Sequence, residues 1–161
     1  MGLKIIVTDS KLCSGCRLCE LTCSLQHRGV YNPKKSAIRV LRGEPAIDAP
    51  IVCFQCLRPP CAEACPAEAI TRDEKTNAVR IVGEECIGCG RCVDACPFGA
   101  MYIHPEESLP IVCDLCGGEP SCVRYCPPKI LRLATEEELA GMKRESLAKI
   151  MMEREGARER R

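Results

Sequence analysis

Aromatic side chains are scarce in this chain of 161 residues, which has two Phe, three Tyr and no Trp. Because aromatic residues supply much of the buried area of ordinary cores, their scarcity predicts a thin organic core. Long apolar runs are also missing. The run from Leu3 to Val7 stops before Asp9, too early for a secretory leader, and no stretch reaches the length of a membrane span. We therefore expect a cytoplasmic protein without a membrane span.

A strong charge of one sign is missing as well. The formal net charge is +1, and no basic patch accompanies the cysteines described below, so nothing indicates binding to nucleic acid. The sequence contains neither a phosphate-binding loop nor a dinucleotide-binding fingerprint. These absences argue against nucleic-acid binding and against nucleotide-dependent catalysis.

Cysteine, in contrast, is abundant, with sixteen residues or about one in ten. In a reducing cytoplasm such a density indicates metal binding rather than disulfides. The cysteines fall into four groups of four. Group one is Cys13, Cys16, Cys19 and Cys23; group two is Cys53, Cys56, Cys61 and Cys65; group three is Cys86, Cys89, Cys92 and Cys96; group four is Cys113, Cys116, Cys122 and Cys126.

Group three, followed by Pro97, reads C-x2-C-x2-C-x3-C-P. This is the bacterial ferredoxin run for a [4Fe–4S] cluster, in which the fourth cysteine ligates the other cluster of a pair. The alternative is structural zinc, which usually shows separated C-x2-C pairs closing one tetrahedral site. A single run with these spacings favours the cluster.

Sixteen cysteines complete four cubane sites and leave none over. A catalytic cluster would keep one iron free of cysteine for substrate, so complete ligation predicts one-electron transfer without catalysis. Four oxidised clusters would bring the net charge of the holoprotein to roughly −7. His27, expected at a helix end, and His104, expected in a turn, lie outside the cysteine runs.

Between the cysteine groups the chain alternates short strands and helices, so the fold class predicted is α+β. Strands are expected at Leu3–Val7 and Ala37–Leu41, which we expect to pair, and a helix is expected to run from after Gly15 through Gln26. Hairpins are expected over Ala69–Ile81 and from Ala100–Ile103 to Pro110–Val112. Groups one and three share one spacing, whereas groups two and four have longer loops. We therefore expect two ferredoxin-like double-cluster units within residues 1–134.

The tail, residues 135–161, contains no cysteine and is predicted to be an amphipathic, charged helix. Thr135 and Glu138 form a capping box at its start. Apolar residues then recur on one face: Leu139, Met142, Leu147, Ile150 and Met151. Two interpretations remain open, namely a helix folded back on the body or a docking arm for a partner subunit.

With all four groups in view, residues 3–133 resemble the four-cluster ferredoxin-like subunits of molybdenum and tungsten oxidoreductases, carbon monoxide dehydrogenases and hydrogenases. The resemblance rests on Cys-Ser-Gly-Cys-Arg-Leu-Cys-Glu in group one, Cys-Phe-Gln-Cys in group two, the ferredoxin run in group three, and Cys-Asp-Leu-Cys-Gly-Gly-x-Pro-x-Cys in group four. The family implies an electron-transfer subunit with four [4Fe–4S] clusters.

The resemblance also implies the ligand sets, because in that family groups one and four exchange ligands, as do groups two and three. Site 1 then takes Cys13, Cys16, Cys19 and Cys126; site 2 takes Cys23, Cys113, Cys116 and Cys122; site 3 takes Cys53, Cys56, Cys61 and Cys96; site 4 takes Cys65, Cys86, Cys89 and Cys92. Spacing alone leaves open which groups pair.

The family also implies a large catalytic metalloenzyme subunit as partner, with a flavin or NAD subunit or a soluble ferredoxin on the other side. The chain resembles the compact members of the family, such as the small subunit of tungsten aldehyde oxidoreductases or the ferredoxin-like partner of carbon monoxide dehydrogenase, and we favour the aldehyde oxidoreductase type. The partner proteins of carbon monoxide dehydrogenase or hydrogenase are the alternative. Two further hypotheses are a zinc-rich interaction module and a free polyferredoxin with no fixed partner.

Overall fold

The structure is a computed structural model that describes residues 2–44 and 47–145. Its helices include α1, Leu18–Arg28, and the single-turn helices α2, Pro60–Glu63, α3, Arg91–Asp94, and α4, Ser121–Arg124. The strands are β1, Lys4–Thr8; β2, Arg39–Gly43; β3, Ile47–Ile51; β4, Ile70–Arg72; β5, Val79–Ile81; β6, Tyr102–Ile103; β7, Pro110–Ile111; and β8, Leu131–Thr135. No helix within this part of the chain is both long and apolar enough to span a bilayer.

Over the described ranges the strands form four separate antiparallel pairs. The hairpins β4–β5 and β6–β7 lie where the sequence predicts them. The predicted pairing of the first two strands is wrong, because β1 pairs with β8 and β2 pairs with β3. The β1–β8 pair closes the chain on itself, with Ile5 opposite Ala134. This closure carries group four, which precedes β8, back to group one, which follows β1.

The buried side chains form two hydrophobic clusters. One contains five cysteines of groups one and four, and the other contains cysteines of groups two and three together with Ile70, Val79 and Met101. The short helices and antiparallel strands agree with the mixed helix and strand fold expected from the sequence. The division into two double-cluster units, and the domain boundary at residue 134, stay predictions.

The predicted capping box at the start of the tail is confirmed. The Thr135 amide donates to Glu138 Oε2 at 2.7 Å, and the Glu138 amide donates to Thr135 Oγ1 at 3.3 Å. Residues 136–145 are helical, and Leu139 and Met142 are half-buried. The other three apolar residues of the predicted stripe, at 147, 150 and 151, lie outside the described residues.

Gln55, in the loop of group two, makes two buried hydrogen bonds, one to group four and one to β5. Its side chain is fully buried; Nε2 donates to the Cys113 carbonyl and Oε1 accepts from the Val79 amide, both at 2.7 Å. These contacts hold a residue whose φ of +49° is unfavourable for a side chain with a Cβ. One glutamine thereby fixes the group-two loop against two segments distant in sequence.

We predict that Gln55→Leu lowers the free energy of unfolding by about 2–4 kcal/mol, because it leaves one buried carbonyl and one buried N–H unpaired. Gln26→Leu is the matched control, since Gln26 is exposed and has one side-chain contact of 3.4 Å, with Ser121. It should change the free energy by no more than about 0.5 kcal/mol. Anaerobic urea unfolding measures both, and equal effects would contradict the role given to Gln55.

Candidate iron–sulfur sites

In each cysteine group the third cysteine lies in the first turn of a helix. Cys19 lies in α1, Cys61 in α2, Cys92 in α3 and Cys122 in α4, and all four are buried. The N-terminal turn of a helix has free backbone N–H groups, which interact favourably with a thiolate. The repeated arrangement therefore suits anionic sulfur.

Three cavities are each lined by four cysteines and otherwise mainly by apolar residues. The first contains Cys13, Cys16, Cys19 and Cys126; the second contains Cys53, Cys56, Cys61 and Cys96; the third contains Cys65, Cys86, Cys89 and Cys92. Their empty volumes, open sides included, are similar at about 290, 370 and 330 Å³. These are the residue sets named above as sites 1, 3 and 4, and in each the fourth cysteine comes from a different group.

The cysteines of site 2 lie close together at the contact between α1 and α4. Burial, together with the nearby Cys23 and Cys116, raises the pKa of Cys122 to about 12. Burial likewise raises the pKa of Cys113 well above its ordinary value, with Cys122 and Cys23 among the contributing neighbours. The structure thus brings these four thiols within electrostatic range of one another.

The spacing of the sulfur atoms separates two kinds of metal site. Among the described residues, which include all sixteen cysteines, no three cysteine sulfurs lie within 4.8 Å of one another. Four thiolates on one zinc, at about 2.3 Å from the metal, would have to lie about 3.8 Å apart. The wider spacing found here fits a cubane, whose four corners hold the thiolates apart, better than a single zinc.

Burial of these thiols is a second indication that a cationic group belongs at the sites. It raises the pKa of Cys19 to about 12 and that of Cys53 to about 11. In the apolar surroundings a thiolate is unfavourable unless positive charge lies beside it. Iron supplies that charge, so the donor set fits an iron–sulfur cluster at each site.

The structure also shows contacts that donate hydrogen bonds to sulfur. The Ala37 amide donates to Cys23 Sγ at 3.3 Å, and the Gln55 amide donates to Cys53 Sγ at 3.5 Å. His27 Nε2 lies 3.3 Å from Cys116 Sγ. Such contacts outside the metal shell orient the ligands and adjust reduction potential.

The order of the sites follows from which cysteines in one site contribute to the raised pKa of a cysteine in the next. Cys19 of site 1 contributes to the raised pKa of Cys122 in site 2. Cys53 of site 3 contributes to that of Cys113 in site 2, and Cys61 of site 3 contributes to that of Cys92 in site 4. Two cysteines are exposed, Cys16 in site 1 and Cys89 in site 4, so the first and last sites of this series reach the surface.

Comparison with known proteins agrees with this arrangement. The family model "4Fe-4S dicluster domain" matches residues 47–136, and "4Fe-4S binding domain" matches residues 10–30. The first match covers more than half of the chain. The chain belongs to this iron–sulfur family. It is accordingly a multi-cluster [4Fe–4S] ferredoxin-like electron-transfer protein, as the sequence motifs predict, and not an enzyme in its own right.

Relatives from two organisms extend the comparison. The chain is 50% identical over 122 residues to the polyferredoxin-like subunit of aliphatic sulfonate oxidoreductase from Pyrococcus furiosus, covering 76% of this chain and 70% of that protein. It is 33% identical to the electron transport protein HydN and 30% identical to formate hydrogenlyase subunit 2, both from Escherichia coli. Coverage is 80% of this chain and 86% of HydN, and 85% and 84% for the hydrogenlyase subunit.

Among solved structures, the chain is similar to a chain of the active site complex BamBC of benzoyl coenzyme A reductase with bound benzoyl-CoA. The TM-score is 0.50 at 27% sequence identity, and the match covers 91% of this chain and 89% of that one. The similarity therefore extends over most of the chain.

Two contributors to the sites could not be identified from sequence. The first is the contact of His27 with Cys116, which joins residues 89 positions apart. The positions of the two histidines agree with prediction, since His27 lies near the end of α1 and His104 lies in a turn. Gln55 belongs to the Cys-Phe-Gln-Cys stretch of group two, and nothing in that stretch indicates that its side chain bonds to two distant segments. In both cases the partner is fixed by tertiary packing, which leaves no periodic signal in the sequence.

We predict that Gly15→Ala disrupts site 1. At this glycine, whose φ is +64°, an added Cβ would lie 2.3 Å from Asp48 Oδ2, and Asp48 is nearly buried and held by Arg42 at 3.2 Å. Iron content after anaerobic purification should fall by up to about four per chain.

Gly29→Ala is the matched control for this prediction. Gly29 has nearly the same φ, +66°, with nothing within 4 Å of an added Cβ. It should carry only the backbone penalty of about 1–2 kcal/mol and keep its iron. Equal iron loss in both variants would show that the contact with Asp48 does not matter.

Proposed function

We propose that this chain is an electron-transfer subunit that carries four [4Fe–4S] clusters at sites 1 to 4. The observation that carries the proposal is that three separate cavities are each lined by four cysteines drawn from two groups. The mutual influence of the site 2 thiols supports a fourth site of the same kind. A bound cluster supplies one-electron redox chemistry.

The protein supplies the surroundings that this chemistry needs. Four cysteines at every site leave no iron corner for substrate, which supports transfer without catalysis. Apolar side chains such as Met101 at site 3 and Leu131 at site 1 exclude water from the cavities. Backbone donors to sulfur, at Cys23 and Cys53, stabilise the more negative state that reduction produces.

The four sites would conduct in the order 1, 2, 3, 4. This order is supported by three effects between neighbouring sites, since Cys19 contributes to the raised pKa of Cys122, Cys53 to that of Cys113, and Cys61 to that of Cys92. The exposed Cys16 and Cys89 then mark the two places where electrons enter and leave. Each end also carries an exposed apolar side chain, Leu12 at site 1 and Ile87 at site 4.

The partner at one end would be a large catalytic subunit of an oxidoreductase, of the tungsten or molybdenum aldehyde oxidoreductase type. The relative at 50% identity is a subunit of an aliphatic sulfonate oxidoreductase, which supports an oxidoreductase partner. At the other end we propose a flavin or NAD subunit or a soluble ferredoxin.

A hydrogenase-type complex is the second candidate, and the similarity to formate hydrogenlyase subunit 2 favours it. A free polyferredoxin, or a partner of carbon monoxide dehydrogenase, would also fit the ligand sets. Anaerobic co-purification distinguishes these candidates, because each predicts a different large metalloprotein, or none, bound to this chain.

We predict that Cys122 and Cys126, only four residues apart, serve different clusters. The double variant Cys19→Ala/Cys126→Ala should lose no more iron than either single variant, because both residues belong to site 1. The double variant Cys19→Ala/Cys122→Ala should lose about twice as much, because it disables two sites. Iron analysis and EPR of the reduced proteins measure this, and the opposite pattern would refute the ligand sets.

We predict that the two ends face different partners. Ile87 is 69% exposed and Leu12 is 65% exposed, so Ile87→Glu and Leu12→Glu should each slow transfer with one partner only, by about tenfold. The physical reason is that a charge buried unpaired in an interface costs more than about 1.4 kcal/mol.

Stopped-flow reduction by the co-purified catalytic subunit, and reoxidation by the acceptor, give the two rates separately. Tyr31→Glu is the control, because Tyr31 is 71% exposed and lies outside the cysteine groups. If both end variants slowed the same step, the two-ended path would be wrong.

A further inference from the structure

The imidazole of His27 lies against a cysteine that we assign to site 2. Its Nε2 is 3.3 Å from Cys116 Sγ and 3.4 Å from Asp114 Oδ1. These three side chains have ligand atoms within 4.8 Å of one another. Neither the ferredoxin-type spacing nor the ligand assignment gives this histidine a role.

The local chain geometry holds the three groups together. His27 lies in the last turn of α1, which ends at Arg28 and is capped by the Gly29 amide bonded to the Leu25 carbonyl. Across from it, Cys116 has a φ of +49°, and its amide donates to Asp114 Oδ1 at 2.9 Å. The turn thereby presents both the Cys116 sulfur and the Asp114 carboxylate to the same ring nitrogen.

The chemistry of Cys116 and Asp114 determines whether His27 Nε2 carries the hydrogen of these contacts. An iron-bound cysteine is a thiolate and an ionised aspartate is a carboxylate, so both accept hydrogen bonds and neither donates. A ring nitrogen placed between two acceptors is favourable only if it carries a proton. Nε2–H is therefore the donor in the assembled protein, and this holds for the neutral imidazole.

We propose that His27 is a positioning residue for site 2 that raises the reduction potential of its cluster through a hydrogen bond to Cys116. The proposal rests on the ligand set proposed above. Adding one electron makes the thiolate sulfur more negative, so a donor at 3.3 Å stabilises the reduced state more than the oxidised state. Because site 2 lies between sites 1 and 3, its potential controls passage along the series.

The test is an EPR-monitored redox titration of the full chain at fixed pH, with His27→Leu as the principal variant. Leucine has a side chain of comparable size but no hydrogen-bond donor. At a fixed potential the reduced-to-oxidised ratio of one cluster should fall about tenfold, which is a shift of 59 mV for one electron. The affected signal should be the one that Cys122→Ala removes, and the other three should not move.

Two further variants separate a hydrogen bond from damage to the helix. Leu25→Ala alters the same turn of α1 at a partly exposed residue that is not itself a cysteine ligand, and it should leave all four potentials unchanged. His27→Gln retains an N–H donor and should recover part of the shift. A direct signature is available as well, because 15N-labelled histidine should give a weak hyperfine coupling to the reduced site 2 cluster that His27→Leu abolishes.

The outcomes are distinct. If His27→Leu keeps all its iron and all four potentials stay at their original values, the proposal is overturned. If His27→Leu fails to assemble, the labelled wild-type protein decides, and absence of the histidine coupling overturns the proposal. If instead Cys116→Ala and Cys23→Ala disturb different clusters, the ligand set of site 2 fails, which is a failure of the proposed function.

Discussion

Fourteen of the sixteen cysteines are buried or half-buried, and this imposes one constraint on the whole chain, because each must be a thiolate to hold iron, yet burial opposes the thiolate. The raised pKa values of Cys19, Cys53 and Cys122 express that opposition in the absence of positive charge. Iron bound at the four proposed sites would remove this opposition. Folding and cluster assembly should therefore be one coupled process, as in other small metalloproteins. The clusters would fill the interior space that aromatic side chains fill in other proteins.

The exchange of fourth cysteines then explains why so little regular secondary structure is enough. Since Cys126 lines the cavity that holds Cys13, Cys16 and Cys19, a single site ties the two ends of the fold together, and the β1–β8 pair serves the same closure. Cys96, from group three, joins group two in the same manner. The strands have only two to five residues, and clusters at the proposed sites would supply the long-range contacts that longer strands supply in other folds.

The sequence was informative for several short-range features, although it did not reveal the local hairpin of β2 and β3. The cysteine spacings, the hairpins around Asp73 and His104, and the capping box at Thr135 are short-range features, and the structure has each of them. Pairing of β1 with β8, the bridge made by Gln55 and the contact of His27 with Cys116 each join segments at least 24 residues apart. Such contacts are decided by how the cysteine groups close around iron, which spacing alone leaves open.

If four cubanes occupy the four cysteine sets in a row, an anomalous difference map at the iron absorption edge, from anaerobically grown crystals, should show them. We expect four separate iron peaks in the order of sites 1, 2, 3 and 4, with the first near Cys126 and the second near Cys23. Fewer than four peaks, or a first peak bonded to Cys13, Cys16, Cys19 and Cys23 together, would contradict it.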